Sequence, residues 1–159
     1  MGREGGRGSG KGRPEDPILQ LERSHHRLGE VCDSLTAAVR DRNLGVISEA
    51  CAFFARQGRR HEQDEELSLF PRLEGSVARD VIERLRREHR AHEALHERLE
   101  RAISGSSWPD LEALASEISG AYREHIELEE RTIFPLARRT LEKPALEEML
   151  AEMAARRDR

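Results

Sequence analysis

The sequence predicts an all-α protein: an antiparallel up-down four-helix bundle made of two repeated helical hairpins, with a short helix after them. Three observations point there. Only 4% of the 159 residues are aromatic while 36% are charged, and the bulk is Glu, Arg, Ala and Leu, a composition that favours helices over pleated strands. Apolar residues recur at spacings of three and four along four long stretches, as one buried stripe on each helix requires. The chain also repeats itself at an offset of sixty-four residues, which carries Asp16, Ile18, Leu21, Arg23 and His25 onto Asp80, Ile82, Leu85, Arg87 and His89. The same offset carries His61, Glu65, Phe70 and Pro71 onto His125, Glu129, Phe134 and Pro135.

Residues 1–14 are rich in Gly with scattered Arg and Lys, too poor in apolar side chains to build a core, and read as a disordered tail. Asp16 and Pro17 then supply an N-cap and a first helical position, opening a helix from about Pro17 to Arg40. Its stripe runs through Ile18, Leu21, Leu28, Val31, Cys32 and Leu35, with His25 inside it. Asp41 to Asn43 form a short turn, so the second helix, from about Leu44 to Leu73, should lie antiparallel to the first. Its inner side carries Ile47, Ala50, Phe54, His61, Glu65, Leu69 and Phe70.

Glu74 to Ser76 break the pattern. A third helix follows over about Val77–Ser104, with Ile82, Leu85, Leu95 and Leu99 beside His89, His92 and His96. The Ser- and Gly-rich turn from Ser104 to Asp110 separates it from a fourth helix over about Pro109–Thr140. Pro71 and Pro135 each remove a backbone donor, so a kink or stop is expected at both. The bundle should therefore occupy residues 15–141. A short amphipathic helix within 142–159 caps it.

Composition also excludes several function classes. The net charge of −4 is small and its signs are interspersed, and no nucleic-acid motif is present, so no nucleic-acid partner is expected. No apolar run approaches the roughly eighteen residues needed to span a bilayer, and the first residues lack the apolar stretch of a secretory signal. A cytoplasmic protein without a membrane partner is expected. Cys32 and Cys51 are too few for a disulfide framework or a cysteine zinc site, and both read as small buried residues.

The chemistry lies in the repeated polar positions. On a helix, residues four apart sit about 40° apart around the axis and roughly 6 Å along it, so His61 with Glu65, and His125 with Glu129, each project from one face. A buried carboxylate is costly unless it is paired or coordinated, and packing alone would favour Leu at positions 65 and 129. His25, His61, Glu65, His89, His125 and Glu129 thus form a metal-ligating set for two ions, of a kind that suits iron, zinc or manganese. Glu93 and His92, near the face of His89, are candidates for one additional ligand. Glu66 and Glu130 fall about 100° round from their neighbours and are expected at the surface or supporting the site, not as ligands. Tyr122, one turn before His125, reads as core or as a donor behind the site.

A lone His, then His-x-x-x-Glu followed by Leu69-Phe70-Pro71, then Glu88-His89, then His125-x-x-x-Glu129-Glu130 and Ile133-Phe134-Pro135, resembles the hemerythrin-like (HHE) cation-binding domain family over about Ile18–Arg139. The resemblance implies a non-haem centre of two iron ions, oxo- or hydroxo-bridged. His25, His61, His89 and His125 would be terminal ligands and Glu65 and Glu129 bridges. Oxygen-carrying members show His-x-x-x-His on the third helix and a carboxylate five residues after the fourth-helix His. Here Glu93 follows His89 by four and Glu129 follows His125 by four; His92 and His96 make a His-x-x-x-His pair only out of the repeat register. That departure points away from simple oxygen carriage. The resemblance then implies a small diatomic or peroxide ligand: binding or sensing of O2, NO or peroxide, or a response to iron or redox state. A peroxide-decomposing, catalase-like enzyme and an iron-storage bundle are the alternatives.

Overall fold

The computed structural model describes residues 16–105 and 107–159, so the tail expected over residues 1–14 lies outside the described residues. The first helix, α1 (Pro17–Arg40), starts as expected: Asp16 accepts a hydrogen bond from the Ile18 amide at 2.9 Å, and Pro17 occupies the position whose missing N–H costs nothing. It ends in a three-residue reversal in which Arg42 takes a left-handed backbone, φ 56°. Asn43 then caps the next helix by accepting from the Val46 amide at 3.2 Å.

The second helical rod is not the uniform helix expected from its sequence. It runs as α2 (Leu44–Phe53), a π-helical turn (Phe54–Gly58), α3 (Arg59–Asp64), a second π-helical turn (Glu65–Leu69) and a 3₁₀ turn (Phe70–Arg72). Pro71 accounts for the last change, since its ring crowds the carbonyl one turn earlier and it has no N–H to give. The π turns carry no such sequence mark. Wide turns of this kind gather at functional sites, and these two lie on either side of the segment bearing His61, the second beginning at Glu65.

The third rod, α4 (Arg79–Ile103), is a regular helix. The fourth begins at α5 (Trp108–Arg131), where the Ser107 hydroxyl accepts from the Asp110 amide at 3.3 Å. It does not continue to Thr140 as expected but breaks at Thr132, φ −120°, before α6 (Ile133–Thr140). Pro135 clashes with a helical carbonyl four residues back, at Arg131, so the break falls there and not at the proline itself. The chain closes with α7 (Lys143–Arg157), whose Met149 and Met153 are buried.

The rods pack as a helical bundle, α1 against α2 and α5, and α4 against α2 and α5. Two apolar clusters fill it. One contains Leu28, Leu35, Ile47, Phe54, Leu95, Leu99, Leu114 and Ile118; the other contains Ile18, Leu21, Leu69, Phe70, Ile82, Leu85, Ile133, Phe134, Met149 and Met153. Side chains of this size, removed from water, contribute about 1.5–3 kcal/mol each. Every rod passes from one cluster to the other, and each places its polar residues in between: His25 between Leu21 and Leu28, His61 and Glu65 between Phe54 and Leu69, His89 and His92 between Leu85 and Leu95, His125 and Glu129 between Tyr122 and Ile133. A buried polar layer thus separates two apolar ones. Cys32 is buried as expected, whereas Cys51 is only half-buried, packed against the margin of the first cluster. No helix among the described residues is long and apolar enough to cross a membrane.

Candidate metal centre

The polar layer brings together all six residues of the repeated set. His25 comes from α1, His61 from α3, Glu65 from the first position of the second π turn, His89 from α4, and His125 and Glu129 from α5. All six are at most 5% exposed, and both carboxylates are fully buried. The intra-helix pairs meet as their spacing requires, His61 Nε2 2.8 Å from Glu65 Oε1 and His125 Nε2 2.6 Å from Glu129 Oε1. Across helices, Glu65 Oε2 lies 3.1 Å from His89 Nε2, and Glu129 Oε2 lies 3.0 Å from His25 Nε2. Their donor atoms fall into two overlapping groups, each with atoms within 4.8 Å of one another: His25, His61, Glu65 and Glu129, and His89, His125, Glu65 and Glu129. The carboxylates belong to both.

The ring nitrogens facing away from the centre explain how the imidazoles are aimed. His25 Nδ1 lies 3.1 Å from Glu130 Oε1, His89 Nδ1 2.8 Å from Glu66 Oε1, and His125 Nδ1 2.9 Å from Glu88 Oε2. An Nδ1–H donated outward to a carboxylate leaves the Nε2 lone pair directed inward, the arrangement that raises the basicity of a metal ligand. Phe134 stacks on His25 at 5.0 Å and Phe70 on His89 at 5.8 Å, which fixes those two ring planes.

With its outer protons so committed, the layer is short of positive charge. His89 Nε2 and His125 Nε2 lie 3.1 Å apart, a contact that requires a proton on one of them unless a cation separates the rings. Among the described residues, all four oxygens of Glu65 and Glu129, His25 Nε2 and both ring nitrogens of His61 are buried without a properly directed hydrogen bond. Without metal, protons must supply the missing charge. Burial on its own would lower the histidines, but Glu129 and Glu65 outweigh it and raise His25 to about 10, Glu65 and Glu66 raise His89 to about 10, and Glu129 and Glu88 raise His125 to about 11. Burial pushes the Glu65 carboxyl upward, yet His61, His25 and His89 around it hold it well below the usual carboxylate range. The donor set therefore fits divalent cations, which would neutralise the carboxylates and separate the facing imidazoles.

Comparison with known proteins agrees with that chemistry. A sequence model of the hemerythrin HHE cation-binding domain matches residues 16–137. The chain belongs to the hemerythrin HHE cation-binding family. An uncharacterised protein of Haemophilus influenzae is 30% identical to it over 161 aligned positions, covering 89% of this chain and 90% of that one.

Around this hemerythrin-like centre, the remaining sequence candidates separate. Glu93 is exposed and turned outward, 3.7 Å from Arg59, because it lies a full 40° beyond His89 on a helix whose buried stripe is narrow. His92 is buried beside the centre, its ring 4.8 Å from that of His125, but it is outside both ligand groups; its Nδ1 meets Glu62 at 3.1 Å and its ring stacks on Tyr122. Tyr122 directs its hydroxyl away from the centre to His96 Nε2 at 2.8 Å. Glu66 and Glu130 are supporting residues that each grip a histidine. Sequence reasoning missed Glu88 and Glu62, which do the same: neither is repeated at the sixty-four-residue offset, and a carboxylate that reaches a histidine on another helix leaves no spacing to detect. Glu66 and Glu130 did carry a signal, their own recurrence.

Proposed function

We propose that this hemerythrin-like centre holds two iron ions, one served by His25 and His61 and the other by His89 and His125, with Glu65 and Glu129 shared between them, and that the protein binds or senses O2, NO or peroxide or responds to iron and redox state. The observation that carries this reading is the apposition of His89 Nε2 and His125 Nε2 at 3.1 Å while their Nδ1 atoms are engaged by Glu66 and Glu88. Both nitrogens face the two shared carboxylates, whose four oxygens have no directed hydrogen bond among the described residues, so the layer calls for positive charge that two cations would supply. Bound iron would supply reversible redox chemistry and positions for a small ligand.

The chain's own residues orient and insulate. Glu66, Glu88 and Glu130 set the ring orientation of three histidines, and Phe70 and Phe134 close the layer on one side with Leu69 and Ile133, all fully buried. The succession of rods from one apolar cluster to the other and back supports an antiparallel up-down arrangement of four helices over residues 15–141, with residues 142–159 as a cap. An iron-storage bundle of the ferritin type, which pairs Glu-x-x-His on two helices, would need Glu22 with His25 and Glu93 with His96; Glu22 instead meets Arg138 at 2.7 Å and Glu93 meets Arg59 at 3.7 Å, both outside the layer.

The test is metal content together with the near-ultraviolet and visible spectrum of iron-loaded protein, before and after O2, NO and peroxide. Absorption that requires iron and changes with one of these ligands is expected. Protein that stays metal-free after anaerobic loading with ferrous iron would overturn the reading, and sustained release of oxygen from peroxide would identify a catalase-like enzyme in place of a sensor.

A further inference from the structure

The centre is not symmetric. Glu130, Glu66 and Glu88 hold the outer nitrogens of His25, His89 and His125, but His61 Nδ1 is buried with no hydrogen-bond partner among the described residues, although His61 is only 5% exposed. The repeat explains the difference. His61 corresponds to His125, and Glu88, which holds His125, corresponds to Ser24, a side chain too short to reach an imidazole and without charge. Where the glutamate would lie there is a cavity of about 120 Å³, with Leu28 and Phe53 on its apolar side and Ser24, Arg27, Arg60 and His61 among its polar lining.

Its charge is as telling as its place. Arg157 is occupied by Asp64 at 2.9 Å. Arg60 has no hydrogen bond or ion pair among the described residues, and Arg27 only overlies the Phe53 ring at 5.8 Å. One buried, unpartnered ring nitrogen, one hydroxyl and two guanidinium groups without an acid therefore line the place where the other half of the molecule supplies a carboxylate.

We propose that this cavity binds a small oxyanion, a monocarboxylate or bicarbonate, in place of the absent glutamate. One oxygen accepts from His61 Nδ1–H and the charge is met by Arg60 and Arg27, guanidinium groups being suited to planar oxyanions. The volume admits a formate, acetate or bicarbonate ion and nothing the size of a nucleotide. Occupancy completes the fourth carboxylate–imidazole pair and raises the basicity of His61 Nε2 toward any metal beside it, which would tighten metal binding about 10–100-fold. Only this last consequence rests on the metal reading; binding of the oxyanion does not.

The test is calorimetric titration of the full chain with sodium formate and, separately, with bicarbonate, at constant chloride, on metal-free and zinc-loaded protein, together with the ¹⁵N resonances of the histidine rings. One saturable site that moves the His61 Nδ1 resonance is expected, and whichever ion binds more tightly identifies the source. Ser24→Glu should abolish it by filling the cavity with the chain's own carboxylate, and Arg60→Gln, at a half-buried position away from both apolar clusters, should weaken it about tenfold or more. Absence of saturable binding to the unaltered protein by either ion, or undiminished binding in Arg60→Gln, would overturn the proposal. Formate binding in a protein that takes up no metal would leave the oxyanion site standing and remove the metal centre; metal uptake without oxyanion binding would do the reverse.

Discussion

Glu66 Oε1 lies 2.8 Å from His89 Nδ1, so a residue of the first hairpin aims a histidine of the second. The repeat returns the arrangement: Glu130, from the second hairpin, meets His25 of the first at 3.1 Å. Phe70 and Phe134 follow the same exchange, stacking on His89 and His25. Each hairpin is therefore incomplete as a site alone.

That exchange separates two kinds of glutamate. Glu65→Ala or Glu129→Ala removes a fully buried carboxylate common to both ligand groups and should abolish stoichiometric metal binding. Glu66→Gln or Glu130→Gln leaves both groups intact but frees an imidazole, and should weaken metal binding about 10–100-fold. From sequence alone, with Glu66 on the outer face, no effect would be expected there. Competition with a chromogenic chelator measures all four variants.

The pH dependence of the metal-free protein has a definite sign. His25, His89 and His125 are raised to about 10, 10 and 11, above the ordinary histidine value of 6.5, so their stabilisation is fully present below about pH 6.5 and is lost as pH rises toward 10 and 11. Glu65 is depressed, so its contribution is lost only in strong acid. The metal-free Tm should fall between pH 7 and pH 10, while metal uptake releases protons and tightens over the same range. Thermal melts with and without metal, and proton release in weak buffer, check both.

Tyr122 and His96 form a neutral pair. Burial lowers His96 to about 4 and raises the Tyr122 hydroxyl well above its ordinary value, so the tyrosine donates and the imidazole accepts. Tyr122→Phe should cost about 1–3 kcal/mol by leaving His96 Nε2 unpaired, with metal content unchanged. Denaturant unfolding and metal analysis of one preparation distinguish this from loss of a ligand.

Asp64 is 1% exposed and accepts from Arg156 at 2.8 Å and Arg157 at 2.9 Å, which fastens α7 beside the segment carrying His61. Replacing both arginines with alanine strands a buried carboxylate and should cost about 3–5 kcal/mol. Asp64→Ala, which removes the buried charge itself, should cost less. Equal losses in urea titrations would contradict that order.

Much of this was legible in the sequence because duplication doubled the signal. Periodicity placed α1 and α4 nearly to the residue, and the recurrence of His-x-x-x-Glu picked out the layer that now gathers six side chains. The π turns at Phe54–Gly58 and Glu65–Leu69 were not legible, since a single extra residue in a helical turn depends on what packs against it and not on local propensity. Glu88 was missed for a related reason: its contact with His125 joins α4 to α5 and has no counterpart at Ser24. The outward turn of Glu93 shows that spacing within one helix gives a face only approximately, and that the neighbouring helix decides which of two adjacent positions is inside.

Glu65 and Glu129 are proposed to lie between two neighbouring metal positions. Anomalous diffraction at the iron edge from iron-loaded crystals addresses it directly. Two peaks are predicted, one beside His25 and His61 and one beside His89 and His125, both in contact with the two carboxylates. A single peak, or iron bound only outside this layer, would contradict the account.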